Sequence, residues 1–213
     1  MSYDTFNRLP EEKKGNIVRQ GLLEFSAKNY QDANTDLVCK ACGISKGSLY
    51  YYFGNKKNFY LFLLSHSVAA FENVRACSCG GEEGFYDILF CDFNSKLDMY
   101  RIYPLEVGLL SMAAKEQCAE VYAEKTELLK SSVQQARKLD EARLKAALSH
   151  VTLREGVDPM LALDALNLYL GALRTRYLEQ YRNEPYAFYE KRQDIQVELK
   201  RCLELFLNGV ARQ

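Results

Sequence analysis

The 213-residue chain is expected to be all-α, and three observations carry that expectation. Apolar residues recur three and four positions apart along most of its length, as in Ile17, Val18, Leu22 and Phe25, which gathers them on one face of a helix. No segment alternates apolar and polar residues over the length of a strand, and there is no internal repeat or low-complexity tract. The prolines and several glycines stand between the periodic stretches, next to residues that start or stop helices. About nine helices are expected in all.

Pro10-Glu11-Glu12 opens the first helix, with proline at the first helical position and two acids at the positive end of the helix dipole. Asn29 is its expected left-handed stop, and Tyr30 after it is expected to pack. Asn34 or Thr35 caps a second helix whose inner side is Val38, Cys39 and Cys42. Gly43 supplies the freely turning residue between two helices, Ile44 plugs the turn, and Ser45 caps a third helix with Leu49 and Phe53 as its buried pair. Gly54-Asn55 ends it. Asn55 caps a fourth helix from Lys56, with Phe59, Phe62 and Leu63 inward and His66 a further candidate for that face. Residues 77–84 read as a loop by their glycines. Helical patterns resume over about 85–100, from Pro104 to about Met112, and from about Lys115 to Ser149. Gly156 breaks the pattern, and Asp158-Pro159 starts a helix to about 182 with Leu163, Leu166, Leu170, Leu173 and Tyr177 on one face. Glu184-Pro185 breaks again before a last helix, about 187–208, carrying Ile195, Leu199, Cys202, Leu203 and Phe206.

Composition narrows the function. No apolar run reaches the ~18 residues of a membrane span, so no membrane association is expected. The first residues lack the apolar core of a signal peptide. Seven cysteines, an odd number lying mostly in helical patterns, fit free thiols in a reducing cytoplasm. The net charge is zero, which argues against a protein that coats nucleic acid over its whole surface. The charge is uneven, though: residues 1–60 hold nine Lys/Arg against six Asp/Glu, and the remainder nineteen against twenty-two. A basic head on an acidic body fits a DNA reader with a different kind of domain behind it. With two histidines, no ligand-spaced pair of them and no nucleophile–base arrangement, nothing points to catalysis; no cofactor is expected and no metal ligand is assigned.

The stretch Cys42-Gly43-Ile44-Ser45-Lys46-Gly47-Ser48-Leu49-Tyr50-Tyr51-Tyr52-Phe53 carries the chemistry. On tyrosine content alone it could be a strand; the turn and capping residues on both sides, at compatible spacing, argue for a short helix. The second helix of a helix-turn-helix lies in the major groove of DNA, and most contacts go to phosphates. Lys46 supplies charge, Gly47 lets the backbone approach the sugar-phosphate chain, and Ser48 can donate to a phosphate or base edge. Tyrosines combine apolar faces for thymine methyls with hydroxyl donors for phosphates. Three successive residues cover most of a helix's circumference, so Tyr51 and Tyr52 are expected outward and Tyr50 at the edge. Thr35, Ser45 and Lys56 stand at helix N-termini, where backbone amides favour a phosphate.

These residues, with Ile17, Leu22, Phe25, Tyr30, Val38 to Lys46 and Asn55-Lys56-Lys57, resemble the DNA-binding domain of the tetracycline-repressor (TetR) family of bacterial regulators. The resemblance covers about a quarter of the chain in detail; the rest agrees in length and helical character. This chain has Ala33-Asn34 where the family commonly has threonines, Asp36 near the expected DNA face, and Cys39 and Cys42 where alanine is usual. The resemblance implies a DNA-binding domain over residues 1–57 and a helical ligand-binding and dimerisation domain over 58–213. It implies a homodimer, paired through the two C-terminal helices, that binds a palindromic double-stranded DNA operator and is released by a small-molecule inducer. Phe85, Phe90, Phe93, Met99, Tyr100, Tyr103, Met112, Tyr122 and Tyr169 are candidates for an amphipathic pocket, the alternative being that they are ordinary core. Ligand bound between the helices beginning at Lys56 and Lys115 would swing the former and change the spacing of the two heads.

Two other readings fit the residues. Cys39-x-x-Cys42 and Cys77-x-Cys79 invite a thiol- or metal-responsive regulator of the same fold, with Cys91 or Cys118 as further ligands. Against this, free cysteine packs as a small hydrophobe, and the spacing of a zinc site is absent. A helical scaffolding protein that does not bind DNA is the third reading, kept open by Asp36 and the zero net charge.

Overall fold

The computed structural model describes residues 3–76, 84–180 and 190–210. Ten helices lie among them: α1 Asp4–Asn7, α2 Glu11–Ala27, α3 Thr35–Cys42, α4 Lys46–Phe53, α5 Lys56–Ala76, α6 Phe85–Ile102, α7 Pro104–Lys115, α8 Ala119–Ser149, α9 Pro159–Gln180 and α10 Arg192–Val210. The described residues contain no strand. They form two compact units. One joins residues 1–73 to 103–133; the other joins 74–102 to 134–213.

The first unit is built around α2. Ile17, Leu22 and Phe25 face inward, and Val18 beside them is half-buried. Gly21 is where α5 crosses: a Cβ there would come within 2.6 Å of the Phe59 ring and 2.8 Å of Leu63. Only glycine permits that approach. Pro10 sits one position before the helix, as its N-cap. At the other end the helix stops before Asn29, at Ala27, and the chain leaves through an extended Lys28 (φ −134°, ψ 153°). Asn29 instead bonds Asp32 twice, accepting its amide at 2.9 Å and donating to its carboxylate at 2.7 Å. Tyr30 is buried, as expected.

The short α1 was not legible as a helix. It carries Phe6, 3% exposed, whose ring packs 4.9 Å from Phe53 and 5.1 Å from Phe62. His66, a candidate for the inner face of α5, is exposed beside Glu106.

In the second unit, Phe85, Ile88 and Leu89 of α6, Leu144, Ala147 and Leu148 of α8, Leu163, Leu166, Leu173 and Tyr177 of α9, and Ile195, Leu199 and Leu203 of α10 form one core. Gly156 turns the chain into α9 with φ 82°. The Gln196 side chain donates to Asn94 at 2.8 Å, and the Tyr177 hydroxyl to Glu198 at 2.9 Å. Burial and that bond push the Tyr177 pKa up to about 12. The first residues of the expected last helix, 187–189, lie outside the described residues.

Candidate nucleic-acid interface

The α3–turn–α4 segment is set by side-chain caps. The Asn34 side chain accepts the Asp36 amide at 2.8 Å and so starts α3. Gly43 ends it at φ 65°, its amide bonded to the carbonyl of Lys40 and that of Ile44 to Cys39. This left-handed C-cap costs glycine little and other residues about 1–2 kcal/mol. Ser45 Oγ then accepts the Ser48 amide at 3.0 Å and starts α4. Leu49 and Phe53, 0% and 2% exposed, fasten α4 to the core. Asn55 Oδ1 accepts the Asn58 amide at 2.8 Å and starts α5. Each of these cap assignments matches the expectation from residue type.

The three tyrosines divide differently from expectation. Tyr51 is 71% exposed. Tyr52 is half-buried, its ring edge-on to Phe6 at 6.3 Å, because the unforeseen α1 supplies an apolar neighbour there. Tyr50 is half-buried too, its hydroxyl 3.3 Å from that of Thr35. Thr35 is itself buried, so its side chain joins α3 to α4 and leaves only the helix terminus for an anion.

Lys46 is exposed and paired with Asp36, its ammonium 2.9 Å from Oδ1. That bond raises the lysine's pKa. The acid on the expected DNA face is thus held by a base on the same face. Ser45 and Gly47 are exposed, and Ser48 is half-buried with its hydroxyl 2.9 Å from that of Ser45. A Cβ on Gly47 would meet nothing nearer than the Ser45 hydroxyl at 3.6 Å, so the fold does not require glycine here. Lys56 turns back toward the α2–α3 loop. Its ammonium donates to the Gln31 carbonyl at 3.1 Å and stands 4.9 Å from the centre of the Tyr30 ring. Lys57 pairs with Glu124. Lys40 on α3 is exposed and was not singled out in the sequence; its place one helical turn after Asp36 was the available signal.

Cys39 is buried and Cys42 half-buried; burial raises both thiol pKa values, which lowers their reactivity. Cys77 and Cys79 lie outside the described residues.

The pocket candidates are not all alike. Phe85 is core of the second unit; Phe90, Phe93 and Tyr169 pack half-buried against that core, Tyr169 stacked on Phe206. Met99 is buried and Tyr100 half-buried. In the first unit, Tyr103 is the residue before α7, Tyr122 is 45% exposed, and Met112 lines a pocket of about 460 Å³ with Asn29, Gln31, Lys115 and Cys118.

Residues 17–61 match the family model described as bacterial regulatory proteins, tetR family. Among solved structures, a TetR family transcriptional regulator from Chloroflexus aurantiacus is similar over 99% of this chain and 98% of its own, with 18% identity and a TM-score of 0.61. NalD, the secondary repressor of the MexAB-OprM multidrug efflux pump in Pseudomonas aeruginosa, is similar over 96% and 100%, with 19% identity and a TM-score of 0.57. The fatty acid degradation regulator FadR from Bacillus halodurans is similar over 94% and 96%, with 16% identity and a TM-score of 0.56. No curated protein matches the chain by sequence. Residues 17–61 are thus similar to the head of the tetR family of bacterial regulatory proteins, and the chain shares the fold of these solved structures over nearly its whole length.

Proposed function

We propose that this regulator is a ligand-responsive repressor that binds a palindromic operator as a homodimer and is released by a small-molecule inducer. The observation that carries the reading is the outer face of the capped α3–α4 pair, where Tyr51, Lys46, Ser45, Gly47 and Lys40 are all exposed. Such a face can present hydroxyl, ammonium and aromatic groups to phosphates and base edges. In this reading Ser48, Tyr50, Tyr52, the N-terminus of α3 at Thr35, and Lys56 border the contact. Residues 1–57 read DNA, and 58–213 hold the inducer and the partner subunit.

The dimer seam is the outward side of α9 and α10. The apolar stripe of α9 expected from its spacing (Leu163, Leu166, Leu170, Leu173, Tyr177) packs into the protomer's own core. Leu161 and Leu168 of α9, and Val197 and Leu205 of α10, are 54–75% exposed. Large apolar side chains left uncovered on adjacent helices mark an association surface, and a two-fold axis would pair them in a four-helix seam. Two reading helices one DNA turn apart then bind a palindrome. Inducer docked within the second unit, among Phe90, Phe93, Met99 and Tyr169, is the trigger of release in this reading.

Enrichment of genomic fragments on the purified chain, followed by footprinting and light scattering, tests the reading. A protected palindrome and a dimer's mass are expected. A monomer, or a chain that retains no fragment above a scrambled control, would overturn it.

A further inference from the structure

Two ionisable side chains outside the α3–α4 pair are buried. Glu116, at the corner between α7 and α8, is 9% exposed, and Lys125 of α8 is 4% exposed. Charges so placed persist only when hydrogen-bonded or paired. Glu116 Oε1 accepts the amides of Gln117 and Cys118 at 2.9 and 2.8 Å, and Oε2 accepts the Tyr30 amide at 2.6 Å. Lys125 donates to the carbonyls of Ala113 and Glu116 at 2.9 and 2.8 Å, which satisfies the end of α7. Burial raises the Glu116 pKa, but the three amides and the Lys125 ammonium lower it further, so the carboxylate is the stable form.

Tyr30 is gripped at both ends. Its hydroxyl donates to Glu120 at 2.7 Å, and its ring stacks on Phe25 and meets Tyr60 edge-on at 5.2 Å. Between Tyr30 and α3 little slack remains. The Ala33 amide bonds the Asn29 carbonyl at 3.1 Å, and the Asn34 amide bonds Glu24 at 2.8 Å. Thr35 then reaches Tyr50 of α4.

We propose that Glu116 is a positioning residue for DNA reading: it locks the α7–α8 corner to the α2–α3 loop, so that movement of α7 reaches α3 and α4 through Tyr30. The inference rests on the reading of α3–α4 as the DNA-contacting pair. Sequence-specific binding needs both reading helices held at a fixed spacing. Non-specific binding needs only charge near phosphates. Loosening this joint therefore removes specific affinity and spares the non-specific kind.

The test compares Glu116→Gln with wild type on two duplexes: one enriched from a random-sequence library by the wild-type chain, and a scrambled one of equal length and composition. Hydrogen exchange over residues 28–36 is followed on the same samples. The variant is expected to bind the enriched duplex at least about tenfold more weakly, to hold the scrambled one within about twofold, and to exchange faster over 28–36. Glu127→Gln, on the exposed side of α8, should change none of the three. Equal losses on both duplexes, or faster exchange with an unchanged affinity ratio, would reduce Glu116 to a structural role and overturn the inference. A wild-type chain that enriches no duplex would instead sink the DNA reading and the inference with it. Should Glu116→Gln fail to fold, Glu116→Asp keeps the charge but draws the carboxylate back from the Tyr30 amide, and an unchanged affinity ratio there overturns it equally.

Discussion

Leu168 is the sharpest probe of the proposed assembly. It is 75% exposed on α9, while Leu166, two residues earlier, is 0% exposed in the protomer core. Burying a fully exposed leucine side chain is worth about 2 kcal/mol, so covering three quarters of one contributes roughly 1.5 kcal/mol. A two-fold seam counts each position twice, which gives roughly 3 kcal/mol, or about two decades in dimer Kd. Leu168→Asp removes that contribution and sets two like charges near the axis. Sedimentation equilibrium should show dimer Kd at least about 100-fold higher, with helicity and thermal unfolding of the monomer nearly unchanged. Leu166→Ala should do the reverse, costing about 3–5 kcal/mol of fold stability through the cavity it opens. If Leu168→Asp leaves the dimer as tight as before, the seam is elsewhere on the molecule.

Further outcomes follow from the head and from the α7–α8 corner. Gly43→Ala should lower stability by about 1 kcal/mol by urea titration because the position sits at φ 65°, whereas Gly47→Ala should raise it by about 0.5–1 kcal/mol while weakening binding to a selected duplex. A Gly47→Ala chain that binds DNA as well as wild type would remove the case for close backbone approach there. Lys46→Gln should flatten the dependence of log affinity on log salt by about 0.9, one phosphate's worth. Asp36→Asn should strengthen non-specific binding in the wild-type background and much less in Lys46→Gln; an equal effect in both would mean that Asp36 repels phosphate directly instead of holding Lys46. Glu116 has a folded pKa below its ordinary 4.5. Its contribution is therefore complete above about pH 4.5 and lost as the pH falls through the lower folded value. Urea midpoints of wild type and Glu116→Gln should converge as the pH falls below 4.5; a constant gap would show that the carboxylate's charge is not what stabilises the joint.

The helix-turn-helix was legible because its parts are local. Asn34, Ser45 and Asn55 bond amides two or three residues ahead, and Gly43 answers to its own φ, so residue type and short spacing suffice to place the helices. The exposure of the tyrosines was less legible, because Tyr52's partner is Phe6, more than forty residues away in a four-residue helix too short to show a period. The same limit hid the pairing of Asp36 with Lys46 and turned Lys56 toward the Tyr30 ring.

The sequence by itself determined the all-α class, most helix boundaries and the turn between α3 and α4, since these depend on interactions within a few residues. Only the tertiary structure decided which of two apolar stripes on α9 remains uncovered and which buried acid grips the Tyr30 amide from 86 positions away. Periodicity tells how many faces a helix can bury. What each face meets depends on long-range packing, which no short spacing encodes.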